Sequence, residues 1–151
     1  MQAIFNVLGP AVLEASVIDL FAGSGALGIE ALSRGAARAT FVDRDEESVA
    51  AIRQNLAALG YAERATVARA DVPRWLRANA ERLASARIVF LDPPYNDPSL
   101  PATLRLLDEL VAEGTTVVAE HGSREPLPEL AHLHVTRARR YGGTSVTIAV
   151  R

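Results

Sequence analysis

The sequence predicts an α/β fold: a mainly parallel sheet that ends in an antiparallel hairpin at the C-terminus. Three observations carry this reading. Short apolar runs of strand length alternate with longer stretches of helical period. Two of these runs carry an aspartate at or just past their end and lead into turn-forming sequence, Gly-rich after Asp19 and Pro-rich after Asp92. The last twenty residues change to a two-residue alternation about Gly142-Gly143, which is a hairpin signal.

Val17 to Leu20 reads as a buried strand leading into a tight turn. Ala26 to Ser33 suits the first crossover helix, with Gly35 as its C-terminal stop. Ala39 to Val42 is a second strand that ends at Asp43. Glu46 to Leu59 has helical spacing through Val49, Ile52, Leu56 and Leu59, and Gly60 ends it. Thr66 to Arg69 alternates as a third strand. Pro73 opens a helix that includes Trp75, Leu76 and Leu83. Ile88 to Leu91 is a fourth buried strand, Leu100 to Leu110 a helix, and Thr116 to Ala119 a fifth strand. Leu133 to Arg139 and Ser145 to Val150 form the hairpin, for seven strands in all. Ahead of them, Gln2 to Leu8 reads as a helix fragment packing through Ile4, Phe5 and Leu8. Right-handed crossovers make the first five strands parallel.

Length and composition bound the function. The 151 residues suit a single domain with a sizeable core. There is no cysteine, which excludes a disulfide scaffold, a thiolate zinc site and a cysteine nucleophile. No signal peptide or membrane-length apolar run is visible, so a cytoplasmic protein with no membrane partner is expected. All 16 basic residues are arginine, a side chain suited to bidentate phosphate contacts. The net charge of -2 excludes a broadly basic nucleic-acid coat, so any nucleic-acid footprint is local.

The segment Asp19-Leu20-Phe21-Ala22-Gly23-Ser24-Gly25-Ala26-Leu27-Gly28 runs from a strand into a helix. Its glycines permit a tight turn and close approach of a ligand to the backbone. In an open parallel sheet this crevice binds ligands. Gly23, Gly25 and Gly28 match a dinucleotide fingerprint loosely. Asp19 favours methyl transfer over that reading, because it would repel a pyrophosphate but can pair with the ammonium of S-adenosylmethionine. Asp43 follows the second strand at the spacing of a ribose-binding acid. It is preferred to Asp45 because it directly follows the apolar run. Asp71 follows the third strand and reads either as a neighbour of adenine or as a helix N-cap. Arg44 and Val72 complete the expected cofactor set.

Asp92-Pro93-Pro94-Tyr95 is the most informative local sequence. Two prolines stiffen a turn after a strand. The Asp92 carboxylate and the Pro93 carbonyl are acceptors that match the two donors of an exocyclic amino group. Tyr95 offers a face on which a base stacks. The expected chemistry is methyl transfer to an exocyclic amino nitrogen, with Asp92, Pro93 and Tyr95 as catalytic residues and Asp92 acting mainly to orient the nitrogen.

With both motifs in hand, the chain resembles the RsmD family of bacterial 16S rRNA guanine-N2 methyltransferases. The resemblance rests on Asp19 to Ala36, on Phe41-Val42-Asp43, on Phe90 to Tyr95, on Ile4-Phe5-Asn6-Val7-Leu8 and on Arg140-Tyr141-Gly142. It implies a class I, Rossmann-like methyltransferase fold and S-adenosylmethionine as cofactor. Asp19 and Asp43 would meet its methionine and ribose parts. It also implies a guanine in 16S rRNA as target, within the small ribosomal subunit or an assembly intermediate. Residues 1–151 would be one such domain and 1–13 the remnant of an N-terminal helix. Family members carry an N-terminal hairpin and an Arg-Pro-Thr segment ahead of that helix, whereas this chain starts at Met1-Gln2-Ala3. The resemblance therefore also leaves open a cofactor-binding module without robust turnover.

Pro94, Arg139, Arg140 and Tyr141 are the expected substrate contacts, with Arg137 and Arg124 as further basic candidates for phosphate. Trp75 is expected in the core, and Glu120 to order a loop or end a strand. His132 and His134 would share one strand face, but with His121 they form no convincing metal set, so no metal is expected. A monomer is expected. The competing readings are adenine-N6 methylation of DNA or RNA, which uses a similar Asp-Pro-Pro-Tyr loop, and a nicotinamide dehydrogenase, in which that loop has no task.

Overall fold

A computed structural model describes all 151 residues. One seven-stranded sheet has the spatial order β3-β2-β1-β4-β5-β7-β6. Its strands are β1 (Ser16–Leu20), β2 (Arg38–Asp43), β3 (Ala65–Arg69), β4 (Ile88–Leu91), β5 (Thr116–Gly122), β6 (His134–Tyr141) and β7 (Thr144–Val150). The first five are parallel, β7 runs antiparallel to β5, and β6 antiparallel to β7. The helices are α1 (Gln2–Leu8), α2 (Ala26–Ser33), α3 (Glu46–Leu59), α4 (Val72–Ala78), α5 (Ala80–Ala84) and α6 (Leu100–Leu110). This is the class I methyltransferase architecture that the resemblance implies.

The central strands are buried on both faces, so they are largely apolar. Alternate residues feed two cores. Val17, Phe41, Phe90 and Val118 pack with Phe5, Leu32 and Ile52 from α1, α2 and α3. Ile18, Leu20, Val42 and Leu91 pack with Trp75, Leu76, Leu104 and Leu107 from α4 and α6. Trp75 is 8% exposed, a core residue as expected.

Most boundaries fall within two residues of the sequence expectation. The N-terminal helix covers Gln2–Leu8 as read and stops there, because Gly9 adopts φ 53 and Pro10 follows; a short 3-10 turn covers Gly9–Val12. One helix differs. The helix expected from Pro73 through Leu83 divides at Asn79 (φ -127, ψ 39), whose side chain donates to the Trp75 carbonyl. Strand β5 runs three residues past Ala119, because Glu120, His121 and Gly122 pair with Val146, Ser145 and Thr144. His132 precedes β6, so it does not share a strand face with His134; its backbone N–H, with those of Ala131 and Leu133, donates to Asp108. His121 is buried between the Gly122 carbonyl and the Thr147 hydroxyl, and no group of acidic or histidine side chains suits a metal.

The first crossover is fixed by a polar bond inside the core. Asp19 is 1% exposed, and its Oδ2 accepts the Gly28 N–H at 2.9 Å. Gly28 is pressed between that carboxylate and Phe41: a Cβ there would lie 2.4 Å from the Phe41 ring and 3.2 Å from Asp19 Oδ2. We predict that Gly28→Ala lowers unfolding stability by about 1–3 kcal/mol through overpacking. Urea unfolding checks this, and a neutral result would mean that the ring moves freely aside.

Burial pushes the Asp19 carboxyl from 3.8 up to about 8, against the pull of the Gly28 N–H and with added repulsion from Asp92 and Asp43. The folded chain therefore holds a proton that the unfolded chain has released between these values. The stability this proton supplies is full below pH 3.8 and is lost as pH rises through about 8. Asp19→Asn removes the titration. The melting temperature of the ligand-free Asn variant, relative to wild type, is expected to climb steadily from pH 5 to pH 8; a difference independent of pH would refute the buried, protonated carboxyl.

Candidate active site

The sheet order reverses between β1 and β4, which places a crevice outside the carboxyl ends of the parallel strands. A pocket of about 1030 Å³ fills it. Asp19, Phe21, Ala22, Gly23, Ser24, Asp43, Arg44, Asp71 and Val72 all line this pocket. So do Asp92, Pro93, Pro94 and Tyr95 from the other side of the crevice. The two motifs, separated by more than sixty residues of sequence, thus face one volume.

Strand β1 delivers the Gly loop. Its residues turn sharply: Phe21, Gly23 and Gly25 have φ of 57, 58 and 83. A positive φ at a non-glycine such as Phe21 is strained, and such strain gathers at binding sites. Asn55 of α3 holds the loop through its side-chain donation to the Ser24 carbonyl (3.1 Å). Gly25 and Gly28 do not line the pocket. Gly25 is the N-cap of α2 in a left-handed conformation, and Gly28 sits behind, against Asp19. Ala26 and Leu27, in the first turn of α2, face the pocket instead.

Asp43 at the end of β2 accepts two backbone N–H groups. Gly23 donates to Oδ2 and Asp45 to Oδ1, each at 2.9 Å. These bonds fix the carboxylate beside the Gly loop and leave further lone pairs free. Asp45 instead caps α3 by accepting from Ser48. Asp71 accepts the Arg74 N–H as N-cap of α4, and it also lines the pocket.

The Pro-Pro loop leaves β4 at Leu91. The walls of the pocket desolvate the Asp92 carboxyl, and the neighbouring Glu120 carboxyl repels its charge and shares a hydrogen bond with it; its pKa is pushed up to about 7. Pro93 is buried while Pro94 and Tyr95 are exposed. Tyr95 is 62% exposed, so its ring faces open space, and its hydroxyl is hydrogen bonded to the Thr144 hydroxyl at the start of β7. Glu125 ties the loop to β5, with Oε1 accepting from Asn96 N (3.2 Å) and Gly122 N (3.0 Å).

Two contributors escape a reading of the motifs, Thr144 and Glu125, whereas Glu120, expected to order a loop or end a strand, lines the pocket beside Asp92. Leu91 pairs with Ala119, so Asp92, just past β4, and Glu120, the next residue of β5, stand side by side; an acid directly after each apolar run is the signal for that pair. Nothing local marks Thr144 or Glu125, because both reach the loop through the antiparallel β7 and the turn after β5. Of the expected substrate contacts, Arg139, Arg140 and Tyr141 lie outside this pocket. Arg139 and Tyr141 line a second groove beside it, whereas Arg140 bonds the Gly142 carbonyl and does not line that groove. Arg124 lines neither.

Residues 1–150 match the family described as Conserved hypothetical protein 95. A Bacillus subtilis protein, YlbH, named as a candidate rRNA methyltransferase, is 45% identical over 150 residues, covering 97% of this chain and 82% of that protein. Ribosomal RNA small subunit methyltransferase D of Escherichia coli K12 is 40% identical over 108 residues, covering 72% of this chain and 52% of that protein. The chain thus spans about half the length of that relative. A solved Escherichia coli structure, described as a candidate methyltransferase, yhhF, superposes with a TM-score of 0.86 at 32% identity over 99% of this chain and 82% of that one. No helix is long and apolar enough to cross a membrane. By the full-length family match and these relatives, this chain belongs to the RsmD-like rRNA methyltransferase family, whose cofactor is S-adenosylmethionine.

Proposed function

We propose that this chain transfers a methyl group from S-adenosylmethionine to the exocyclic N2 of a guanine in 16S rRNA. The observation that carries this is the meeting of Asp19 and Asp43 with Asp92-Pro93-Pro94-Tyr95 in one pocket at the switch point of the sheet. The name of the 40% identical relative, a small-subunit rRNA methyltransferase, supports the substrate class.

The residues present fit the cofactor. Asp43, already fixed by two backbone donors, would accept from ribose hydroxyls. The oxygen of Asp19 not bonded to Gly28 would meet the ammonium, and the positive end of α2 at Ala26 and Leu27 would favour the carboxylate. Asp71 and Val72 would border the adenine. When bound, S-adenosylmethionine supplies an electrophilic methyl on a sulfonium.

The protein's part is to present the nitrogen. The target base leaves its stack to reach the pocket. Tyr95, held by Thr144, offers its ring face to the base. The Asp92 carboxylate and the Pro93 carbonyl accept the two amino hydrogens and aim the nitrogen lone pair at the methyl. One amino hydrogen leaves as a proton after transfer, and Asp92 beside Glu120 accepts it on the way to solvent. Because Asp92 orients the amino group only when ionised, turnover falls as pH drops through about 7.

Labelled methyl transfer to unmodified small subunits, with nucleoside identification, tests the proposal. N2-methylguanosine is the expected product; N6-methyladenosine would move the assignment to adenine chemistry. Asp92→Ala is expected to lower kcat by about 10²–10³-fold while cofactor affinity stays within about threefold. An equal loss in both would refute the amino-group role. In a kcat profile, Glu120→Gln is expected to move the acidic limb to lower pH, since it removes a neighbouring negative charge. Glu125→Ala should lower kcat about tenfold by releasing the loop, with Glu125→Gln close to wild type because the amide keeps its accepting oxygen.

A further inference from the structure

A second groove of about 350 Å³ lies between α1 and the β6–β7 hairpin. Glu120 and Thr144 line both it and the main pocket, so the two volumes meet at the ridge made by the Tyr95–Thr144 bond. We propose that this groove binds the single-stranded RNA that flanks the target nucleotide. The proposal rests on the rRNA reading of the main pocket and adds where the neighbouring nucleotides go.

The chemistry is specific to a polyanion with flat bases. Arg137, Arg139 and Tyr141 alternate along β6 and share the groove face. Neither arginine has an ion-pair partner within 4 Å, so both guanidinium groups are available to phosphates. Along the strand they stand about 7 Å apart, a spacing that lets them meet successive phosphates of an extended chain. Tyr141 is 48% exposed beside an apolar floor of Ile4, Val7, Val146 and Ile148. That combination of an aromatic face and an electropositive edge is how proteins hold single strands. Strand β6 is an edge strand with every residue exposed, so these side chains serve no core. The ridge position of Tyr95 also explains the division of labour: the base turned out against Tyr95 enters the main pocket, and the backbone beyond it continues over Thr144 into the groove.

The test is binding of a short, guanine-containing, single-stranded RNA, read by fluorescence anisotropy over a salt series in the presence of S-adenosylhomocysteine. This readout needs no turnover, so it separates the groove from the methylation reaction. The double variant Arg137→Gln/Arg139→Gln is expected to bind at least tenfold more weakly. Its slope of log affinity against log salt should shrink by about 0.7 for each arginine lost. Tyr141→Ala should weaken binding about tenfold with an unchanged salt slope. Arg53→Gln on α3, exposed at the opposite edge of the sheet, controls for net charge and should leave binding unchanged. S-adenosylhomocysteine affinity, equal to wild type in every variant, shows that the fold is intact. Wild-type affinity and salt slope in the double variant would overturn the proposal, as would no RNA binding by the wild-type chain. Unchanged RNA binding combined with lost methylation of assembled subunits would also overturn it and give the groove to a protein component instead. If these variants lose RNA binding while the wild type makes no N2-methylguanosine, the groove stands and the assigned reaction fails.

Discussion

The bond from the Gly28 N–H to the Asp19 carboxyl holds the end of β1 against the first turn of α2, in a buried position where Gly28 presses on the Phe41 ring. A carboxylate in such surroundings is costly to ionise. The fold tolerates it because this bond sets the crossover angle at the point where the ligand crevice opens. Once α2 is docked there, the Gly loop has one path, and its backbone takes the positive φ values at Phe21, Gly23 and Gly25. Asp43 then closes the loop from the next strand by accepting the Gly23 N–H. Two carboxylates from adjacent strand ends thus shape a turn whose own sequence is mostly small and apolar.

The other half of the site depends on a different constraint, the reversal of direction at β7. Five parallel strands alone would end in a row of loops with no support on the far side. The antiparallel β7 brings Thr144 back to the carboxyl end of β5, where its hydroxyl meets Tyr95. Glu125 fastens the same loop to Gly122 and Asn96. The Pro-Pro turn is stiff by itself, but its placement relative to the Gly loop comes from these long-range contacts.

This explains what was legible in the sequence. Strand ends, the α3 caps at Asp45 and Gly60, and the hairpin at Gly142-Gly143 are written locally, because each depends on residue type within a few positions. The break at Asn79 was not, since a helical period runs on through Leu83 and only a side-chain bond to Trp75 marks the division. The alternation in β6 invites a half-buried strand, yet all eight residues are exposed, because nothing packs over this edge of the sheet. In the site, the acids that follow apolar runs could be found by spacing. Gly25 and Gly28 could not be sorted from Gly23, because a loop glycine that faces a ligand and one that faces a core look alike in sequence. Proximity in sequence groups Arg140 with Arg139, whereas the pleat of β6 turns neighbours to opposite faces.

Glu120 connects these levels. It lies within β5, pairs in register with Val146, and stands beside Asp92 in the lining of the crevice. A neutral residue there would leave Asp92 ionised over a wider range and would suit simple orientation of an amino group. A second acid has a cost, because it raises the Asp92 pKa toward the working range of pH. The arrangement suits a site that must both accept hydrogen bonds from an amino group and take up the proton released after transfer. It also places a negative charge where the main pocket meets the arginine-lined groove. A phosphate is repelled at that junction while a neutral base is not. The charge pattern therefore favours the base, rather than the backbone, as the part of a strand that turns inward past Tyr95.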